Sequence, residues 1–176
     1  MRDSALKNKL QSPDLNSLLS LKHLQGDSNA RNLRFALVAT QWYEVILDNL
    51  LAGAVATLKE CGAAERDVTL IRVPGAFELP LVLDQLAASK RFHALIALGC
   101  VIRGGTPHFE YVAGECARGI AAVSLKYAVP VSFGVLTCDT LAQAEERAAP
   151  GPHNKGRESA LAAVQMASLL SKLRHV

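Results

Sequence analysis

From Leu33 onward the chain alternates between short apolar runs and longer stretches whose apolar side chains recur at helical spacing. The runs are Leu33–Thr40, Asp67–Val73, His93–Leu98 and Val131–Leu136, each short enough and apolar enough to read as a buried strand. Between the first two, Glu44–Cys61 sets Leu47, Leu50, Leu51, Ala54 and Leu58 on one helical face and closes at Gly62. The spacing predicts further helices over Glu78–Lys90, with Pro80 tolerated in the first turn, and over Pro107–Ala128. A short helix over Thr140–Ala149 opens on Thr140 and Gln143 as a capping box, and a last helix covers Lys155–Leu173. Apolar strands separated by helices imply a parallel sheet with both faces covered. The expected class is α/β: a three-layer α/β/α sandwich around a central four-stranded parallel sheet.

A chain of 176 residues, half of them hydrophobic, can bury one good core, so residues 32–176 are expected to form one domain. Residues 1–31 are rich in Ser, Asn, Gln and Lys and read as a mobile extension, with one weak helical turn around Leu18–Leu24. Those residues hold five bases and three acids, so of the net +3 only +1 remains for the body. No basic stripe is left to follow a polyphosphate backbone, and no nucleic-acid partner is expected. Cys61, Cys100, Cys116 and Cys138 fall at no metal-ligand or redox-pair spacing and read as small apolar residues kept reduced. No metal or cofactor is expected. The absence of a membrane-length apolar run points to a soluble, cytoplasmic protein with no membrane partner.

Sheets of this kind place their sites beyond the carboxyl ends of the strands. The segments there are Gln41-Trp42-Tyr43, Pro74-Gly75-Ala76-Phe77-Glu78, Cys100 to His108, and Thr137-Cys138-Asp139. The third is the most distinctive. An apolar strand runs into Gly104-Gly105-Thr106, with Thr106 suited to the N-cap and Pro107 to the first helical position. His108 follows beside unpaired backbone N–H groups at the positive end of a helix, where an anion and a proton-transfer group can meet. This suggests chemistry on a small, phosphorylated metabolite.

Taken together, these segments resemble the 6,7-dimethyl-8-ribityllumazine synthase family of riboflavin biosynthesis. The matching pieces are Val73–Pro80, Ala97–Val112, Pro130–Thr137, Gln143–Ala148 and Asn154–Gly156, in order and in register. The resemblance implies a flavodoxin-like fold and a transferase that condenses 5-amino-6-(D-ribitylamino)uracil with 3,4-dihydroxy-2-butanone 4-phosphate. It also implies a homo-oligomer built from pentamers, with active sites between adjacent subunits.

Residue by residue, the resemblance makes His108 the acid/base and gives Gly105 and Thr106 the phosphate, with Arg147 and, more weakly, Lys155. Arg147 otherwise reads as a surface partner of Glu145 and Glu146. Trp42 supplies a flat face for the pyrimidine, and Phe133 a second aromatic contact or, equally, a strand residue. Ala76, Phe77 and Glu78, with Cys100, Val101 and Ile102, meet the ribityl chain and the pyrimidine. Phe133, Arg147 and Lys155 are implied to serve a neighbouring subunit's site.

The chain departs from the family pattern at Gln41-Trp42-Tyr43, where Arg-Phe-Asn is usual, and at Cys100, where threonine is usual. It departs again at Pro150-Gly151-Pro152, where a lysine is lost and two prolines stiffen a turn. These departures keep a second reading in view: a non-catalytic flavin- or lumazine-binding protein of the same fold.

Overall fold

The computed structural model describes residues 22–176. In chain order the elements are β1 (Phe35–Thr40), α1 (Glu44–Glu60), β2 (Val68–Val73), α2 (Leu79–Ala88), β3 (Ala94–Ile102), α3 (His108–Tyr127), β4 (Val131–Cys138), α4 (Leu141–Ala148) and α5 (Lys155–Leu173). Single 3₁₀ turns at Glu65–Asp67 and Ala76–Glu78 lead into β2 and α2. All strand pairs are parallel, in the order β2-β1-β3-β4, which is the flavodoxin-like arrangement.

The side-chain period of two divides the central strands between two cores. Phe35, Leu37 and Ala39 of β1, with Ala94, Ile96, Leu98 and Cys100 of β3, pack against α1, α4 and α5. Ala36 and Val38, with Leu95 and Ala97, pack on the opposite face against α2 and α3. Both strands can therefore be largely apolar: β1 is buried along its whole length and β3 from Ala94 to Cys100, with Val101 and Ile102 half-buried. The edge strands β2 and β4 are only partly buried.

Close helix contact depends on missing side chains. A Cβ on Gly156, at the start of α5, would lie 1.9 Å from the carbonyl oxygen of Leu50 on α1. On the other face, a Cβ on Gly119 of α3 would lie 2.6 Å from the Pro80 ring of α2.

β3 and β4 both run further than the sequence pattern suggests. β3 extends four residues past Leu98 because Gly99, Cys100, Val101 and Ile102 pair with Val135, Leu136, Thr137 and Cys138 of β4. The expected mobile extension is also different over its described part. Asp27 pairs with Lys172 at 2.8 Å, and its backbone N–H donates to Ser168 Oγ at 3.3 Å. Ala30 is fully buried and donates to the Cys61 carbonyl at 2.8 Å. From Gln25 onward the segment is thus bound to the body. Most of the helical turn expected at Leu18–Leu24 lies outside the described residues, and Lys22–Leu24 are not helical. No helix among the described residues is long and apolar enough to cross a membrane.

Gly156→Ala must push α1 and α5 apart, so it is expected to lower unfolding stability by about 1–3 kcal/mol. Denaturant titration measures this, and an unchanged midpoint would mean that the helices are not interlocked there.

Candidate active site

The order β2-β1-β3-β4 sends the chain to opposite sides of β1 after β1 and after β2, which opens a crevice between the carboxyl ends of β1 and β3. A cavity of about 580 Å³ lies there, built from four segments. The turn after β1 gives Trp42 and Tyr43, and the turn after β2 gives Gly75, Ala76, Phe77 and Glu78. The end of β3 gives Cys100, Val101 and Ile102, and the first turns of α3 give His108, Tyr111 and Val112. The first two turns touch: a Cβ on Gly75 would lie 3.1 Å from Glu78 Oε2 and 3.6 Å from Trp42 Cδ1.

Trp42 is 68% and Phe77 59% exposed, so among the described residues two aromatic faces stand open. Such faces suit a flat ring. Glu78 adds a carboxylate that can accept hydrogen bonds from hydroxyls, and no ion pair within the described residues occupies it. Cys100 is 5% exposed, and burial pushes its thiol up to about 12. It therefore stays neutral and offers the cavity its backbone rather than a nucleophile.

The seat of His108 differs slightly from expectation. α3 begins at His108 itself, with Pro107 in the capping position and no side-chain cap, so Thr106 does not cap the helix. The proline ring fixes φ at −66° and occupies the position expected of Thr106. Without a capping hydroxyl, the N–H groups of His108 and Phe109 remain open to an anion, while that of Glu110 donates to the Pro107 carbonyl at 3.2 Å. The His108 ring is exposed and has no hydrogen-bond partner among the described residues. Gly104 and Gly105 have no atom within 4 Å of where a Cβ would stand. Gly105 and Thr106 border a shallower hollow of about 320 Å³ with Arg103, Pro107 and Glu110.

Phe133, Arg147 and Lys155 are not in the crevice. They line a separate cavity of about 610 Å³ between β4 and α5. Arg147 donates to the Gln143 carbonyl at 3.0 Å and makes no ion pair with Glu145 or Glu146. Lys155 is held by Glu158 at 2.7 Å. Asn154 sets these two cations on one rim. Its Nδ2 donates to Ala148 O at 2.7 Å, closing α4, while its Oδ1 accepts from Arg157 N at 3.0 Å and caps α5. The cap at Thr140 is present, with Gln143 N at 3.3 Å, but Gln143 Oε1 reaches back to Asp139 N at 2.9 Å rather than to Thr140.

Tyr43, Tyr111 and Val112 were not among the residues expected at the site. The last two were discoverable, because positions three and four after His108 share its helical face. Tyr43 enters because it caps α1 in the left-handed region, at φ 60° and ψ 57°.

The family model described as 6,7-dimethyl-8-ribityllumazine synthase matches residues 32–171, most of the chain.

A tyrosine in the left-handed region costs about 1–2 kcal/mol, which asparagine largely avoids. Tyr43→Asn is therefore expected to raise unfolding stability by about 1 kcal/mol. A lower melting temperature would show instead that the Tyr43 ring contributes more by packing than its backbone loses by strain.

Proposed function

This chain belongs to the 6,7-dimethyl-8-ribityllumazine synthase family, and on that premise we propose that it is the transferase itself. It condenses 5-amino-6-(D-ribitylamino)uracil with 3,4-dihydroxy-2-butanone 4-phosphate in the cytoplasm and releases phosphate and water. The observation that carries this reading is the convergence of Trp42, Phe77–Glu78, Cys100–Ile102 and His108 on one crevice. The pyrimidine lies against Trp42 and the backbone of Cys100–Ile102, and the ribityl hydroxyls donate to Glu78.

The substrate amine attacks the ketone and water leaves to give an imine; phosphate is then eliminated, and the second amine closes the ring onto the remaining carbonyl with loss of a second water. Each step moves protons between neighbouring atoms. His108, as a base, takes a proton from the attacking nitrogen and returns it to the departing hydroxyl. The backbone N–H groups of Gly105 and Thr106 hold the phosphate and stabilise it as it leaves. Holding two reactants in contact supplies much of the remaining acceleration.

Phe133, Arg147 and Lys155 border a different cavity of the same chain. This supports a homo-oligomer built from pentamers, in which one subunit's β4–α5 rim closes the next subunit's crevice. Arg147 then meets the phosphate with a charge-assisted contact.

Mixing the two substrates with the purified protein is expected to yield the lumazine, followed by its fluorescence, and His108→Ala is expected to lower turnover by roughly 10²–10⁴. Riboflavin binding without turnover would favour the non-catalytic reading, and an unimpaired His108→Ala would remove the imidazole from the mechanism. His108→Ala and Arg147→Ala proteins, dissociated and reassembled together, are expected to regain part of the turnover that each lacks alone. No recovery would mean that the sites are not shared between subunits.

A further inference from the structure

Arg103 lies just past the end of β3 and is absent from the crevice lining, yet it gathers more contacts than any residue of the loop it opens. Its backbone N–H donates to Cys138 O at 2.9 Å, continuing the β3–β4 ladder by one bond. Its Nε donates to Asp139 Oδ1 at 2.8 Å, and its Nη1 pairs with Glu110. The guanidinium carbon sits 4.3 Å from the centre of the Phe109 ring. The fork thus ties the end of β4 to the first turn of α3, on both residues that follow His108.

Between these anchors the chain is otherwise free. No hydrogen bond among the described residues engages Gly104, Gly105 or Thr106. Asp139 is itself tethered to α4, since its N–H donates to Gln143 Oε1. Taking the proposed reaction as its basis, we propose that Arg103 is a positioning residue: through Glu110 and Asp139 it holds the Gly104–Thr106 loop and the start of α3 in the shape that receives the phosphate. A lysine offers one point of charge where arginine offers a planar fork, so it holds one carboxylate and releases the other.

The charges make the test decisive. Glu110 borders the hollow beside Gly105 and Thr106, and Asp139 is held 2.8 Å from the Nε of Arg103, which borders the same hollow, so Coulomb's law alone predicts that neutralising either negative group tightens phosphate binding. Positioning predicts the opposite. The side chains of Arg103, Glu110 and Asp139 are 42%, 53% and 66% exposed, so their loss should leave the melting temperature nearly unchanged.

The experiment compares Glu110→Gln, Asp139→Asn, Arg103→Lys and Arg103→Gln with the unaltered protein. It reads KM for the butanone phosphate against kcat, the dissociation constant for inorganic phosphate, and amide exchange over residues 108–112. Each carboxylate variant is expected to weaken phosphate binding and speed exchange by roughly two- to fivefold, the range of an exposed ion pair. Arg103→Gln should exceed both, and Arg103→Lys should fall between. Tighter phosphate binding in either carboxylate variant overturns the proposal, as does unchanged exchange in all four. Weak binding confined to Arg103→Gln also overturns it, because the arginine would then touch the phosphate directly. If the unaltered protein makes no lumazine, the proposed reaction fails, while the exchange rates still decide the role of Arg103.

Discussion

β1 and β3 are buried on both faces, and the geometry of the crevice rests on that burial. Each contributes alternate residues to two separate cores, so slipping either strand by one position would exchange its entire side-chain set between them. Fully burying one leucine or isoleucine side chain is worth about 1.5–3 kcal/mol, and several such residues hold the register. With the strands fixed, their carboxyl ends are fixed as well. Trp42, on a short turn, and His108, at the start of α3, can then stand exposed and still border a common cavity. Exposed side chains need little packing of their own to converge when the strands that carry their turns are fixed.

Polar contacts complete what the apolar core begins, and they differ in strength. Asn154 is buried, and its amide closes α4 while capping α5. An unpaired buried amide costs about 1–3 kcal/mol, so this connection is rigid. The ion pairs of Arg103 are exposed and contribute little to folding, which leaves them suited to shaping a loop without stiffening the whole. The Arg147–Lys155 rim is therefore firmly built, whereas the His108 rim is adjustable.

Much of this was legible in the residues. Repeated apolar runs with helical stretches between them gave the layer architecture, and the helix over Lys155–Leu173 has the bounds that its spacing predicts. Other features were not. The last four residues of β3 are strand only because β4 lies alongside, and a ladder between segments 36 positions apart leaves no local signature. The cap of α3 moved by one residue because Pro107 and Thr106 both suit a helix start, and local preference does not rank them. Gln143 reached Asp139 rather than Thr140, a choice set by where β4 ends. The placement of Tyr111 and Val112 at the cavity followed from helical spacing and was there to be read.

The sequence by itself determined the class of fold and pointed to the carboxyl-end segments that line the candidate site, because periodicity and turn chemistry are local properties. Only the tertiary structure decided that Phe133, Arg147 and Lys155 border a different cavity from His108, that Arg103 bridges α3 and β4, and that residues from Gln25 onward are bound to α5 and the body. Each of these is a relation between segments far apart in the chain. Such relations are fixed by how two cores fill and by which helices can approach across a missing side chain, and neither is written in any one stretch of residues.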